Sequence, residues 1–416
     1  MKLAILGINY YPEVTGIGVY TTQMCEYLVK NGYDIDMFTT FPYYPFGEDF
    51  SFWYKDRKIS PYRLFFTEEI NGVKIKRVNF YKPARPNTFK RIAHELSFIS
   101  LITVRLIFNF ERYDLIFCIS PPLFLGLVAY IFSRLKNIPF IFHAQDLQPD
   151  TAVALGMLKK GAFLSFLYGI EKFIYRNADY ILTVSEGMRD KIINKGIAAD
   201  KAGLLFNWVD TEKIKPGIKN NSFSQKYNLN DRFVVLHAGN MGEKQDMRVI
   251  LEAASKTRED KTVVFLLVGR GVKRALVEDY IKKHNLTNIL LLDVHPQETL
   301  NELFSSCDAA LITQGKNITD SVMPSKFFGP AAAERPLIIS ARDDCGIARL
   351  ARSYNFALVI PPEEPAALVS AIYNLKDNRQ LAVDLGKNGR AFMANARSKE
   401  KILSAFAKDI LLRYNK

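Results

Sequence analysis

This sequence predicts an α/β protein of two doubly wound parallel sheets, on three observations. Short apolar runs alternate with longer helix-period stretches over nearly the whole length, the pattern of parallel strands joined by crossover helices. The 416 residues are too many for one core and suit two domains of about 200 residues each. A polar, turn-rich stretch, NWVDTEKIKPGIKNNSFSQKYNLNDR, divides the apolar runs into two sets.

The first set opens with KLAILGIN. No small-residue cleavage pattern follows it and the chain continues into polar turn residues, so it reads as a first strand and not as a signal peptide. The helical stretch YTTQMCEYLVKNGY stops at Gly32, just past its last periodic residues. DIDMFTT, VKIKRVN, LIFCIS, IPFIFHA, YILTVS and KAGLLFN follow as strands. The longest apolar stretches are interrupted by Arg105, Glu111, Arg134 and Lys136 before about 20 uncharged residues accumulate, so no membrane span is expected. The second set is FVVLHAG, TVVFLLVG, NILLLD, AALIT, PLIISA and ALVIPP. Domains are expected at 1–206 and 207–395, with a helix at 396–416 packing back on the first. Ligand sites are expected where loops leave the carboxyl ends of the strands.

Composition excludes several classes. Hydrophobic content of 48% and charge of 24% are those of a soluble globular enzyme. Cys25, Cys118, Cys307 and Cys345 form no C-x-x-C pair, so neither a zinc cage nor a disulfide framework is indicated and a reducing cytosol is the natural setting. No nucleophile elbow, P-loop, kinase set or nucleic-acid module is present. The net charge of +13 is uneven: Lys55 to Arg91 holds eleven Lys and Arg against Asp56, Glu68 and Glu69. With the apolar LSFISLITVRLIF that follows, this segment has the character of a surface on anionic lipid; the alternative is a solvated basic face beside a buried helix.

Four loops carry candidate chemistry. In NYYPEVTGIGVYTTQ, Gly16 and Gly18 precede a helix, where glycine lets backbone approach a ligand and free N–H groups meet anions. Thr21 stands where a dinucleotide fingerprint has its third glycine, so a nicotinamide enzyme is not expected. IPFIFHAQDLQPD places His143 after a buried strand, followed by Gln145, Asp146 and Asp150, a polar cluster of the kind a binding site requires. VVLHAGNMGEKQD sets Gly239 and Asn240 before Lys244 at a helix opening, which suits a diphosphate, and LLVGRGVKR repeats the loop at Gly269 and Gly271. DSVMPSKFFGPAAAERP reads as a loop turning into a helix, with Pro324 at its start, Ser325 as cap and Lys326 where an anion would sit. Asp34 and Asp36 have the D-x-D spacing of metal-dependent sugar transferases, but alternate across the start of a strand and are expected to face solvent. His94, His237, His284 and His295 show no ligand spacing.

The order of YYPEVTGIGVYT, HAQDLQPD, SEGMRD, NWVD, GNMGEKQD and MPSKFFGPAAAERP resembles glycosyltransferase family 4. Within it the chain looks most like bacterial sugar transferases of O-antigen, capsule and colanic-acid assembly, such as N-acetylfucosaminyl transferases. The resemblance implies the GT-B fold, with two Rossmann-like domains facing a central cleft: an amino-terminal acceptor domain and a carboxyl-terminal nucleotide-sugar domain. It implies a retaining, metal-independent transferase with no cofactor, taking a nucleotide-sugar donor (tilted toward UDP-linked N-acetylamino sugars) and a lipid-linked acceptor, at the inner face of the cytoplasmic membrane.

By the same resemblance, His143 and Gln145 orient the donor sugar and Lys244 binds its diphosphate. Gly16, Gly18, Gly239, Asn240, Gly269, Asp293, Val294, His295, Pro324, Ser325, Lys326 and Gly329 surround the donor, and Glu13 and Asp146 meet the acceptor. The family's E-x7-E glutamates fall on Ser321 and Gly329 here, and the arginine of its G-R-L loop on Asn240. A GT-B nucleotide-sugar epimerase and a non-catalytic basic binding protein of an envelope complex are the alternative readings.

Overall fold

The computed structural model describes residues 1–14, 16–45, 48–83 and 88–414. They divide into two compact units, each an α/β domain around its own sheet.

The first unit comprises Met1–Val153, Leu158–Phe206 and Leu403–Lys416. In chain order it contains β1 (Lys2–Leu6), α1 (Ile17–Lys30), β2 (Asp34–Thr40), α2 (Ser51–Asp56), β3 (Phe65–Ile70), β4 (Val73–Val78), α3 (Thr88–Ile107), β5 (Leu115–Ser120), α4 (Leu125–Lys136), β6 (Phe140–Ala144), α5 (Gln148–Ala154), α6 (Ala162–Asn177), β7 (Tyr180–Thr183), α7 (Glu186–Asn194) and β8 (Ala202–Leu204). The sheet order is β3-β4-β2-β1-β5-β6-β7-β8. Every residue of β5 and β6 is buried, because helices cover both faces of a parallel sheet and the strands read as continuous apolar runs. The direction of winding reverses between β1 and β5, which makes the loops after those strands the switch point.

One strand departs from the parallel plan. β3 pairs antiparallel with β4 across Asn71 and Gly72, both at positive φ (51° and 77°), the geometry of a two-residue hairpin turn. Four of the cations of this region are engaged by carboxylates of the unit. Lys74 and Lys76 meet Glu111 at 2.7 and 2.8 Å, and buried Arg77 meets Glu68 at 2.5 Å and Tyr11 O at 2.6 Å. Arg57 takes the other oxygen of Glu68. Arg85 lies outside the described residues. Asp36 does not face solvent: it is fully buried, 2.7 Å from Lys76 and hydrogen-bonded by Tyr113, while Asp34 is exposed.

The second unit comprises Asn207–Ile402 with Ala154–Met157. It contains α8 (Ser222–Lys226), β9 (Phe233–Ala238), α9 (Met247–Lys256), β10 (Val263–Val268), α10 (Arg274–His284), β11 (Ile289–Leu292), α11 (Leu300–Ser305), β12 (Ala309–Thr313), α12 (Phe328–Ala332), β13 (Leu337–Ser340), α13 (Gly346–Ser353), β14 (Ala357–Ile360), α14 (Pro365–Asp377) and α15 (Arg379–Ala396), then α16 (Lys399–Ala405) across the boundary. All six strands are parallel, in the order β11-β10-β9-β12-β13-β14, and the switch point falls between β9 and β12. Neighbouring residues of β9 serve opposite cores: Val234 and Leu236 pack with Phe327 and Phe356, and Val235 with Ile250 and Leu311. Ser398 still pairs with Val209, and the chain passes to the first unit at Leu403.

All four cysteines are free and buried. Burial pushes each thiol upward, Cys307 to about 12. Among the described residues no helix is long and apolar enough to cross a membrane.

Candidate active site

In the first unit the candidate residues gather at the switch point and on β6. Gly16 caps α1 with φ 62°, a conformation glycine adopts without strain. Gly18 lies so close to Glu13 that a Cβ there would sit 3.3 Å from the Glu13 backbone oxygen. Glu13 is buried and used internally: its carboxyl accepts from the Tyr43 and Tyr44 amides at 3.0 Å and from Asn9 Nδ2 at 2.7 Å. It therefore ties the β1 loop to the β2 loop. Burial pushes it up to about 7 despite these bonds.

His143 is the fourth residue of β6 and buried, its ring 5.6 Å from that of Phe117 and its Nε2 3.5 Å from Gln145 Nε2. Burial pulls it down to about 3, against a weaker contribution from the Leu205 backbone, so the imidazole is neutral and keeps one N–H and one lone pair. Gln145 is buried, and its backbone N–H donates to Ser120 O at 3.0 Å. Asp146 is partly exposed. Asp150 does not join this cluster: on α5 it pairs with Lys195, which also holds Glu171 at 2.6 Å.

The loops after β2 and β4 add what the sequence reading did not single out. A cavity of about 690 Å³ is lined by Tyr43, Tyr54, Lys55, Lys58 and Lys82 among others. Lys82 donates to Tyr54 Oη at 2.9 Å and lies 5.7 Å from the centre of the Phe41 ring. Burial lowers it to about 8.

In the second unit the switch-point loops carry the cations. The loops after β9 and β10 meet backbone to backbone: a Cβ on Gly269 (φ 142°) would stand 2.0 Å from Gly239 O, and one on Gly271 2.5 Å from Asn240 Oδ1. The stem of Lys326 crosses Gly239, 2.9 Å from where a Cβ would be. The segment bearing Lys244 is held against the β12 loop by Gly315 N donating to Lys244 O at 3.2 Å and by the Gln245–Gln314 bridge. Lys326 is lowered to about 8, first by burial and then by the charge of Lys244. Two lysines from two loops are thus held within one another's field. His237, on β9, is also in the field of Lys326 and is lowered to about 3, mainly by burial. It had no sequence signal beyond its place one residue from the strand end.

Pro324 lies in irregular chain, Ser325 opens a turn through Lys326 and Phe327, and α12 begins only at Phe328. Ser325 is not its cap, because the cap position is Phe327 and no side chain caps the helix. Gly329 faces Phe304, where a Cβ would meet the ring at 2.4 Å, so a glutamate cannot stand there without displacing that ring. Asp293 is engaged by Arg270 through two contacts of 2.6 Å and by its neighbour's amide, that of Val294, at 2.9 Å. His295 Nδ1 lies 2.9 Å from Asp293 O, and its ring packs 5.2 Å from Phe223.

Residues 15–208 match the family described as Glycosyl transferase 4-like domain, and residues 219–392 match Glycosyl transferases group 1. The putative colanic acid biosynthesis glycosyl transferase WcaI of Escherichia coli (strain K12) is 29% identical over 424 residues, covering 99% of this chain and 100% of that protein. The probable glycosyltransferase WbjE of Pseudomonas aeruginosa is 25% identical, over 65% of this chain and 68% of its own. Among solved structures, the sucrose-phosphate synthase of Thermosynechococcus elongatus superposes with a TM-score of 0.77 at 16% identity, over 100% of this chain and 99% of that one. Anabaena Alr3699/HepE in complex with UDP and glucose gives 0.72 at 14% identity, over 99% and 100%. With both domain families matched in order and a relative aligned end to end, the chain belongs to glycosyltransferase family 4, on the GT-B fold.

Proposed function

We propose that the protein moves a sugar, with retention, from a UDP-linked N-acetylamino sugar such as UDP-N-acetylfucosamine to a lipid-linked saccharide during assembly of an O-antigen or capsule polysaccharide. The observation that carries this reading is the Lys244–Lys326 pair over the glycine-lined loops of β9 and β10. Two like charges within one another's field favour an anion between them, and a diphosphate leaving group is such an anion. The relative named for colanic acid biosynthesis and the neighbours solved with UDP support the polymer class and the base.

In the reaction the acceptor hydroxyl attacks the anomeric carbon, the bond to the diphosphate oxygen breaks, and the departing diphosphate takes the acceptor's proton. Lys244 and Lys326 stabilise the charge that develops on it. His143, neutral and fixed beside Gln145, orients the sugar hydroxyls. The acceptor saccharide occupies the Tyr43–Tyr54–Lys82 cavity, whose wall Glu13 holds in place through the Tyr43 amide. The enzyme works in the cytoplasm at the inner face of the cytoplasmic membrane, where a lipid-linked acceptor resides.

A panel of nucleotide sugars tests the reading. Free UDP with a glycosylated acceptor supports transfer, whereas an isomerised donor with no free UDP supports an epimerase. UDP should raise the melting temperature more than GDP or ADP, since the base is read on binding. The reaction needs no metal, and turnover in EDTA should equal that without it. Asp36, held by Lys76 and Tyr113 at the amino-terminal half of β2, has another use.

A further inference from the structure

Three helices of the first unit show solvent what helices in a soluble domain normally hide. α4 packs against α3 on one side and α6 on the other. On α3 the exposed positions include Phe89, Ile92, Leu96, Val104 and Ile107, spaced as one helical stripe. Ile131 and Leu135 are exposed on α4, one turn apart, with Leu135 at 72%. α6 shows Phe163, Phe166 and Phe173 to solvent, and Phe173 joins α4 through an edge-on contact with Tyr130 at 5.0 Å. Contiguous exposed apolar surface of this kind marks an interaction site.

Charge decides among the occupants. The three helices contain two carboxylates, Glu95 and Glu171, and Glu171 is buried against Lys195. They carry Lys90, Arg105, Arg134, Lys136, Lys172 and Arg176 among their cations. A second copy of the chain would set cations against cations. An anionic bilayer matches both features at once, with phenylalanines entering the acyl boundary and lysines and arginines at the phosphates.

We infer that the outward faces of α3, α4 and α6 form one seat on an anionic membrane, the three helices lying in the plane of the interface. This surface rests on the reading that the acceptor is lipid-borne. From the Lys55–Arg91 segment it takes Lys90 on α3, and not Arg57, Lys74, Lys76 or Arg77, which are engaged by Glu68 and Glu111 within the unit.

Flotation with phosphatidylcholine vesicles, with and without phosphatidylglycerol, tests it on the full chain. Wild type should float with the anionic vesicles and be released by high salt, and the double variant Phe163→Glu/Phe166→Glu should bind at least roughly tenfold less. Both positions are exposed, so the variant should keep the wild-type melting temperature and UDP affinity. If wild type floats and the double variant floats equally, the seat is wrong and the lipid-borne acceptor stands. If wild type binds no vesicle, both fail. Equal binding to neutral and anionic vesicles, or a concentration-dependent dimer in light scattering that the variant abolishes, overturns the anionic seat.

Discussion

The two units use one architectural plan and set different side chains at the ends of its strands. In the first, burial pushes titratable groups toward their neutral forms: His143 down to about 3 and Glu13 up to about 7. In the second, burial likewise lowers His237 to about 3 and Lys326 to about 8, and the charge of Lys244 adds to the shift of Lys326. A neutral, hydrogen-bonding set suits sugar hydroxyls, and a strained cationic set suits a phosphate. The difference shows that the same strand-end loops can be specialised by which residue types stand there.

Removing the cations should break this contrast most strongly. Lys244→Met and Lys326→Met, each keeping the apolar stem, should lower kcat/KM roughly 10²- to 10³-fold in steady-state assays with the UDP-sugar, while leaving the fold intact. Next comes the joint beneath them. Gly269→Ala adds a Cβ at 2.0 Å from Gly239 O in a backbone region side chains rarely adopt, and should cost about 2 kcal/mol or more in denaturant unfolding. Gly329→Glu, which writes the common family residue back in, should fail to improve donor affinity and should cost about 1 to 3 kcal/mol by crowding Phe304.

Two pH profiles sharpen the comparison with smaller effects. Bound UDP favours charged Lys326, so binding takes up a proton. UDP affinity should therefore fall as pH rises through about 8, and the fall should vanish in Lys326→Met calorimetry. For the ligand-free protein the sign is reversed: between about 8 and the ordinary lysine value the unfolded chain holds more protons, so stability rises with pH. In the first unit His143 is neutral when folded and charges when unfolded. Its contribution is complete above about 6.5 and is lost as pH falls toward about 3, an effect His143→Gln should flatten in acid unfolding curves.

Much of this was legible in the sequence because parallel strands buried on both faces read as plain apolar runs: LIFCIS and FVVLHAG mark β5 and β9 directly. β3 was not read, since FFTEEI is no apolar run, although Asn71-Gly72 between it and β4 is a recognisable hairpin signal. The glycine loops and their lysines were legible as local chemistry next to strand ends. What escaped was set by partners distant in sequence. Asp36 meets Lys76 and Tyr113, Asp150 meets Lys195, and Gly329 meets Phe304. No local pattern announces such pairings. Within Lys55 to Arg91 the pairing of Lys74 and Lys76 with Glu111 was hidden for the same reason, as Glu111 lies beyond that segment.

The four buried cysteines should react slowly with thiol reagents, because thiolates are what those reagents attack and burial disfavours each one. A single cysteine placed at position 166 or 135 should therefore carry a spin label or fluorophore against little native background. The immersion depth of the helical seat can then be read out one position at a time in the otherwise unaltered enzyme.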